Sequence, residues 1–305
     1  MKKKNSTASI IIVILFASAF YAYNSGVFDN LIPGGNDNVP QQPTGNVIKV
    51  AAFNIQIFGQ SKLGKTHVVD TLAQIVRNFD VVLVQEIRDS SDTTAPTFLN
   101  VINSMDGQKY AYIESERLGR SSSKEAYAYF YNTETVQYLA DSAFVYNDSN
   151  DVFEREPYIA SFKSGNFDFT LVGIHTKPDD AYNEIGNLTV VFNYVENQGP
   201  EKDVIALGDF NADGSYFDED STSNPLKTQG YYWVIGNSFD TTTKTDYTYD
   251  RVIMTGCTYS SEYIAGSDNV YNFQNIYGLN QTFTESISDH FPIYAEFNTS
   301  MPDDD

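Results

Sequence analysis

Six times along this chain a short apolar run, rich in β-branched residues, stops at side chains able to do chemistry. Val47 to Phe53 stops at Asn54, Val81 to Val84 at Gln85-Glu86, Phe167 to Ile174 at His175, and Val204 to Leu207 at Gly208-Asp209-Phe210-Asn211. Arg251 to Met254 and Phe291 to Phe297 carry theirs in front, as Tyr249-Asp250 and Ser288-Asp289-His290. Runs of this length and composition are strands, and continuously apolar ones are covered on both faces. Helical spacing supplies the cover. Thr66 is placed to cap a helix carrying Val69, Leu72, Ala73 and Val76, with Phe79 at its end. Ala181 to Glu196 sets Ile185, Leu188, Val191, Phe192 and Val195 on one face, and Ala95 to Met105 is a shorter third candidate. The pattern predicts α+β architecture, sheets packed together with helices outside, in one domain over 47–298.

Composition narrows the class. Of 305 residues, 41% are hydrophobic and 14% aromatic, which excludes a disordered chain. The single Cys257 excludes an intrachain disulfide framework and a Cys-based zinc cluster, and is expected to be a small buried apolar residue. A net charge of −21 disfavours a passive binder of phosphate backbones. At the N-terminus, Lys2, Lys3 and Lys4 precede an apolar run from Ile10 to Tyr23, with Ala17-Ser18-Ala19 as a cleavage-like site. Residues 1–23 therefore read as a secretory signal, or as an uncleaved anchor, since no charge falls between Lys4 and Asp29. Either way the domain is exported, secreted or tethered outside the cytoplasm. Residues 24–46 read as a flexible linker and 299–305 as a solvated acidic tail.

The residue types at the strand ends set the chemistry. Glu86, Asp209 and Asp289 are hard oxygen donors and Asn54 and Asn211 neutral ones, a set suited to magnesium, manganese or calcium rather than zinc. Of three histidines, His175 and His290 sit at motif ends and are the candidates for proton transfer, whereas His67 reads as a surface residue. A carboxylate beside each histidine would orient and charge it, with Glu125 and Asp250 available. Each motif has a plainer reading alone: Gly208 to Asn211 as a turn, Gln85-Glu86 as a strand end in solvent, Asp250-Arg251 as a surface ion pair. Their conjunction in one chain carries the argument.

With these motifs in view the chain resembles the deoxyribonuclease I branch of the endonuclease/exonuclease/phosphatase superfamily. The resemblance rests on Ala51 to Ile55, Val82 to Ser90, Leu118-Gly119-Arg120, Lys124-Glu125, Arg155-Glu156-Pro157, Gly208 to Asp213, Tyr249-Asp250-Arg251 and Ser288-Asp289-His290. It implies a four-layer α/β/β/α sandwich and metal-dependent endonucleolytic cleavage of DNA, double-stranded DNA as its substrate, by a monomer. It further implies Glu86, Asp289 and Asn54 as ligands of Mg2+ or Mn2+. Asp209 and Asn211 would bind metal or the scissile phosphate, and His175–Glu125 and His290–Asp250 would be the catalytic pairs. Arg88, Arg120 and Arg155 would contact DNA. Structural Ca2+ is implied at Asp240 and Thr242, and at Asp148, Asp151 and Glu156. The chain departs from the family's disulfides, since Gly214 stands where a cysteine follows Asn-Ala-Asp and the loop before Arg155 is short and cysteine-free, and Ser123 stands where the family has a groove-stacking tyrosine beside Lys-Glu. Two alternatives remain at this level, a phosphodiesterase acting on a lipid head group such as sphingomyelin, and a non-catalytic binding module.

Overall fold

The computed structural model describes residues 46–107, 109–199 and 201–302. The segment read as signal or anchor, nearly all of the linker and the last residues of the acidic tail lie outside the described residues. No helix among the described residues is long and apolar enough to cross a membrane.

Two mixed sheets form the centre. The first runs in the order β12 (Asn269–Val270), β13 (Ile293–Asn298), β1 (Val47–Phe58), β2 (Val81–Ile87), β4 (Ala126–Asn132), β3 (Tyr110–Glu114). The second runs β10 (Tyr232–Trp233), β11 (Asp250–Met254), β9 (Val204–Asp209), β8 (Phe167–His175), β7 (Tyr158–Ser164), β5 (Gln137–Tyr138), with β6 (Phe144–Val145) also on β7. At the middle of each sheet lies a parallel pair, β1 with β2 and β8 with β9, whose crossover connections contain helices. The helices are α1 (Gln60–Leu63), α2 (Thr66–Val76), α3 (Thr94–Ser104), α4 (Ala181–Glu196), α5 (Pro225–Thr228), α6 (Gly256–Ser261), α7 (Phe273–Ile276) and α8 (Gln281–Ile287).

Three apolar layers hold these elements together. Ala51, Phe53, Val82 and Val84 pack outward against Leu72 and Val76 of α2 and Phe98 of α3. Ile48, Val50, Val81 and Leu83 face inward against Phe169, Leu171, Ile205 and Leu207 of the other sheet. Val172, Ile174, Val204 and Ala206 pack outward against Ile185, Leu188 and Phe192 of α4. Both faces of the central strands are thus buried, which is why their sequences read as unbroken apolar runs. The result is the four-layer sandwich that the resemblance implied.

Local details differ from the sequence reading. Lys65, not Thr66, occupies the cap position of α2, and no side chain caps its first turn. The strands β3, β4 and β7, whose tyrosines and alternating polar residues hide an apolar run, were not among those expected. Cys257 is half-exposed, and its thiol lies against the Lys202 carbonyl at 2.9 Å, so it is not a core residue. Asp250 and Arg251 are buried rather than a surface pair; Arg251 bonds the carbonyls of Ile235 and Ala212 and the Glu219 carboxylate.

Candidate active site

The pleat brings the polar strand ends together. Side chains alternate along a strand, so residues of one parity share a face. In β1 the inward set is Ile48, Val50 and Ala52, and Asn54 continues it. In β2, Val81 and Leu83 point inward, and Gln85 follows. The same parity carries Leu171 to His175 in β8, Leu207 to Asp209 in β9, Val252 back to Asp250 in β11, and Tyr127 back to Glu125 before β4. These side chains meet between the sheets at one end of the sandwich. Asn54 Nδ2 donates to Asp209 Oδ2 at 2.9 Å across the two sheets. Gln85, fully buried, donates to the Ile174 carbonyl at 2.6 Å and accepts from the Asp209 amide at 3.1 Å. Gly208 beside it has φ +138, and a Cβ there would lie 2.1 Å from the Ile174 carbonyl oxygen, so no other residue fits.

Two histidine–carboxylate pairs face one another across Asp209. His175 Nδ1 lies 2.7 Å from Glu125 Oε1, and His290 Nδ1 lies 2.8 Å from Asp250 Oδ2. Both Nε2 atoms approach Asp209 Oδ2, at 3.4 and 3.5 Å. Burial opposes the charge on both imidazoles, but it is outweighed: Glu125 and Asp209 raise the pKa of His175, and Asp250 and Asp209 raise that of His290 well above the ordinary value. Burial likewise opposes ionisation of Asp209, and the two histidines together with the Asn211 amide overcome it and lower its pKa. Thr241 Oγ1 accepts from the Tyr249 and Asp250 amides and so fixes the start of β11.

A second group of oxygens lies beside the pairs. Glu86 sits at φ +61 in a bulge of β2; its Oε2 accepts from the Ile57 amide at 2.9 Å and pairs with Arg88 Nε at 3.2 Å. Ile57 is itself a β-branched residue at φ +48 and is 60% exposed, so backbone strain is spent to aim an amide at Glu86. Asp289 Oδ2 accepts from Gln56 Nε2 at 2.6 Å, and Ser288 Oγ ties this loop to the Asn54 carbonyl at 2.6 Å. Asn54 Oδ1 and Asp289 Oδ1 are buried without a hydrogen-bond partner. Unpaired buried oxygens beside Glu86 fit a hard divalent cation. Asp209, Asp250 and His290 also bring ligand atoms within 4.8 Å of one another, but His290 Nδ1 is already taken by Asp250 Oδ2 and its Nε2 faces Asp209 Oδ2. Asn211, at φ +46, turns its Nδ2 to the Thr176 carbonyl and donates its amide to Asp209 Oδ1.

The other expected residues spread outward. Arg88 reaches both Glu86 and Glu125. Arg120, partly exposed, pairs with Asp151 and Glu154. Arg155 is no surface charge: its side chain is 7% exposed and bonds Glu125 and the His175 and Thr176 carbonyls. Asp148 accepts from the Phe153 amide and Asp240 from the Thr242 amide, while Thr242 Oγ1 bonds the Thr245 carbonyl. Glu156 lies next to Arg155 in the chain, and none of these five residues carries a buried oxygen lacking a partner. His67 is exposed, as expected. Gln56 and Lys62 were not foreseen. Lys62, buried on α1, donates to the Ile287 carbonyl at 2.7 Å behind the Ser288–His290 loop, and burial lowers its pKa to about 8. Gln56 shares the parity of Asn54, a signal that could have found it; Lys62 carried none.

The endonuclease/exonuclease/phosphatase family profile matches residues 51–290, a range that holds every candidate site residue from Asn54 to His290. The chain belongs to this family. Deoxyribonuclease-1 of Bos taurus is 37% identical over 257 residues, covering 81% of this chain and 90% of that protein. Deoxyribonuclease gamma of Homo sapiens is 33% identical over 266 residues, covering 83% and 87%. Among solved structures, D. rerio TDP2 complexed with a single-strand DNA product superposes with a TM-score of 0.59 at 16% identity, over 84% of this chain and 100% of that one, a likeness of fold. The endonuclease/exonuclease/phosphatase fold thus agrees with the resemblance read from the motifs.

Proposed function

We propose that this chain is an exported, divalent-metal-dependent endonuclease that hydrolyses the phosphodiester bonds of DNA, double-stranded DNA included. The observation that carries this is the pair of imidazole Nε2 atoms within 3.5 Å of one Asp209 oxygen, each backed by its own carboxylate. One pair takes the proton of the attacking water and the other gives a proton to the leaving oxygen. Asn54, Glu86 and Asp289 would hold Mg2+ or Mn2+, which when bound neutralises charge on the phosphate oxygens. Arg88 and Arg120 supply guanidinium groups for the DNA backbone, and Arg155 acts mainly through Glu125. The deoxyribonuclease relatives support DNA as substrate over a lipid head group, and two intact pairs support an enzyme over a binding module. Export rests on Lys2 to Lys4 followed by the apolar run to Tyr23. Calcium at Asp240 and Thr242, and at Asp148, Asp151 and Glu156, belongs to the same reading, as does a monomeric state.

Purified domain should nick supercoiled plasmid with magnesium or manganese, fail in EDTA, and leave sphingomyelin intact. Cleavage of sphingomyelin without nicking would replace the nuclease reading with the lipid one. Absence of both activities would revive the binding module.

A further inference from the structure

Glu184 is a fully buried carboxylate that the proposed chemistry does not use. It lies in the first turn of α4, and each of its oxygens is engaged: Oε1 accepts from the Glu154 amide at 3.0 Å and Oε2 from the Lys177 amide at 3.2 Å. Those amides belong to two separate stretches of chain. Glu154 immediately precedes Arg155, and Lys177 follows His175 by two residues. Arg155 closes the circuit, since its Nε reaches the His175 carbonyl at 3.1 Å and Glu125 Oε1 at 3.5 Å, and its Nη2 reaches the Thr176 carbonyl at 3.3 Å.

We propose that Glu184 is a positioning residue for the His175–Glu125 pair, clamping the Arg155 segment to the end of β8 so that Arg155 can hold both members of the pair. The inference rests on the reading of His175 as a proton-transfer group in phosphodiester cleavage. Two amide donors need two acceptor oxygens. A carboxylate provides them; a glutamine sets its NH2 against one amide and opens that half of the clamp, and the protonated acid offers that amide only the weaker acceptor of its hydroxyl oxygen. Burial pushes the pKa of Glu184 up to about 7, and the amides of Glu154 and Lys177 and the Arg155 guanidinium oppose that rise. Asp180, on the turn before α4, favours the neutral acid, while Arg120 and Tyr127 are the further ionisable groups within its field. The clamp is therefore at full strength above about pH 7 and weakened on one side below it.

The test compares Glu184→Gln with the wild type by plasmid nicking in magnesium from about pH 5.5 to about pH 9, and by NMR titration of His175 in the metal-free protein. The ratio of wild-type to variant kcat should rise about tenfold through neutral pH and then level, because small misplacements of a reacting group cost rates of this order. The titration midpoint of His175 should also move. A ratio independent of pH together with an unmoved midpoint overturns the proposal. Should Glu184→Gln fail to fold, Lys177→Pro against Lys177→Ala decides: Lys177 has φ −75, which proline accepts, so Lys177→Pro removes the amide hydrogen and Lys177→Ala keeps it. Slower cleavage by Lys177→Pro above about pH 7 supports the clamp. Equal rates overturn it. A wild type that nicks no plasmid overturns the nuclease reading instead, and the midpoint of His175 then decides on Glu184 alone.

Discussion

Asp209 is the residue on which the site turns. Its Oδ2 accepts from Asn54 and faces both imidazole Nε2 atoms, so one carboxylate raises the pKa of two imidazoles. His175→Ala and His290→Ala should each lower plasmid nicking by roughly 10²- to 10⁴-fold, the usual worth of general acid–base catalysis, with the melting transition retained. Near-native nicking by either variant would remove that histidine from the mechanism. Asp209→Asn should slow nicking as severely and lower the titration midpoints of both histidines. The sign for stability follows from linkage. A histidine whose folded pKa is raised contributes stability that is full below its unfolded value of 6.5 and is lost as pH rises through the folded value. In metal-free Asp209→Asn the folded values fall, so the loss still begins near the unfolded value but is smaller and is complete at lower pH. Melting curves taken across the neutral and alkaline range check this, and superimposable pH dependences for the two proteins would refute it.

At the scale of elements, the parallel pairs β1–β2 and β8–β9 end at the same edge of the sandwich, and Gln85 joins them there. Gln85→Leu leaves the Ile174 carbonyl and the Asp209 amide buried without partners. Each such group costs about 1–3 kcal/mol, so about 2–6 kcal/mol of stability should be lost together with much of the activity. Thermal melting and nicking measured on the same preparation check both, and an unchanged melting temperature would show that water or another side chain satisfies these groups. The loops respond to a different variable. Calcium chelation by EGTA should lower the melting temperature if Asp240, Thr242, Asp148, Asp151 and Glu156 hold ions, and an unchanged value would mark them as self-closed turns. Their backbone amides already satisfy Asp148 and Asp240.

For the whole molecule the net charge of −21 changes meaning once the site is assembled. Glu86, Glu125, Asp209, Asp250 and Asp289 gather at one end, and the guanidinium groups of Arg88, Arg120 and Arg155 are already shared with carboxylates. A metal-free protein of this charge repels a phosphate backbone, and a bound divalent cation inverts the field where it sits. Retention on immobilised duplex DNA should therefore be negligible in EDTA and should appear with magnesium, best seen with the slow-cleaving His290→Ala. Equal retention with and without metal would show that the arginines alone carry binding.

Strand runs, helical spacing and most of the polar residues that converge at the candidate site were legible in the sequence, because burial on both faces writes an unbroken apolar run and the polar side chains stand where such runs stop. Even the convergence of Asn54, Gln85, Glu125, His175, Asp209 and Asp250 follows from pleat parity once the strand faces are assigned. Parity depends on knowing which face is inward, and an apolar run that is buried on both sides does not say so. Only the packing of the two sheets made Gln85 a cross-link, buried Arg155 against Glu125, and set both histidines on one oxygen of Asp209. Gln56, Lys62 and Glu184 acquired their roles in the same way, through contacts between segments far apart in the chain, where geometry and shared burial, rather than any local pattern, select the partner.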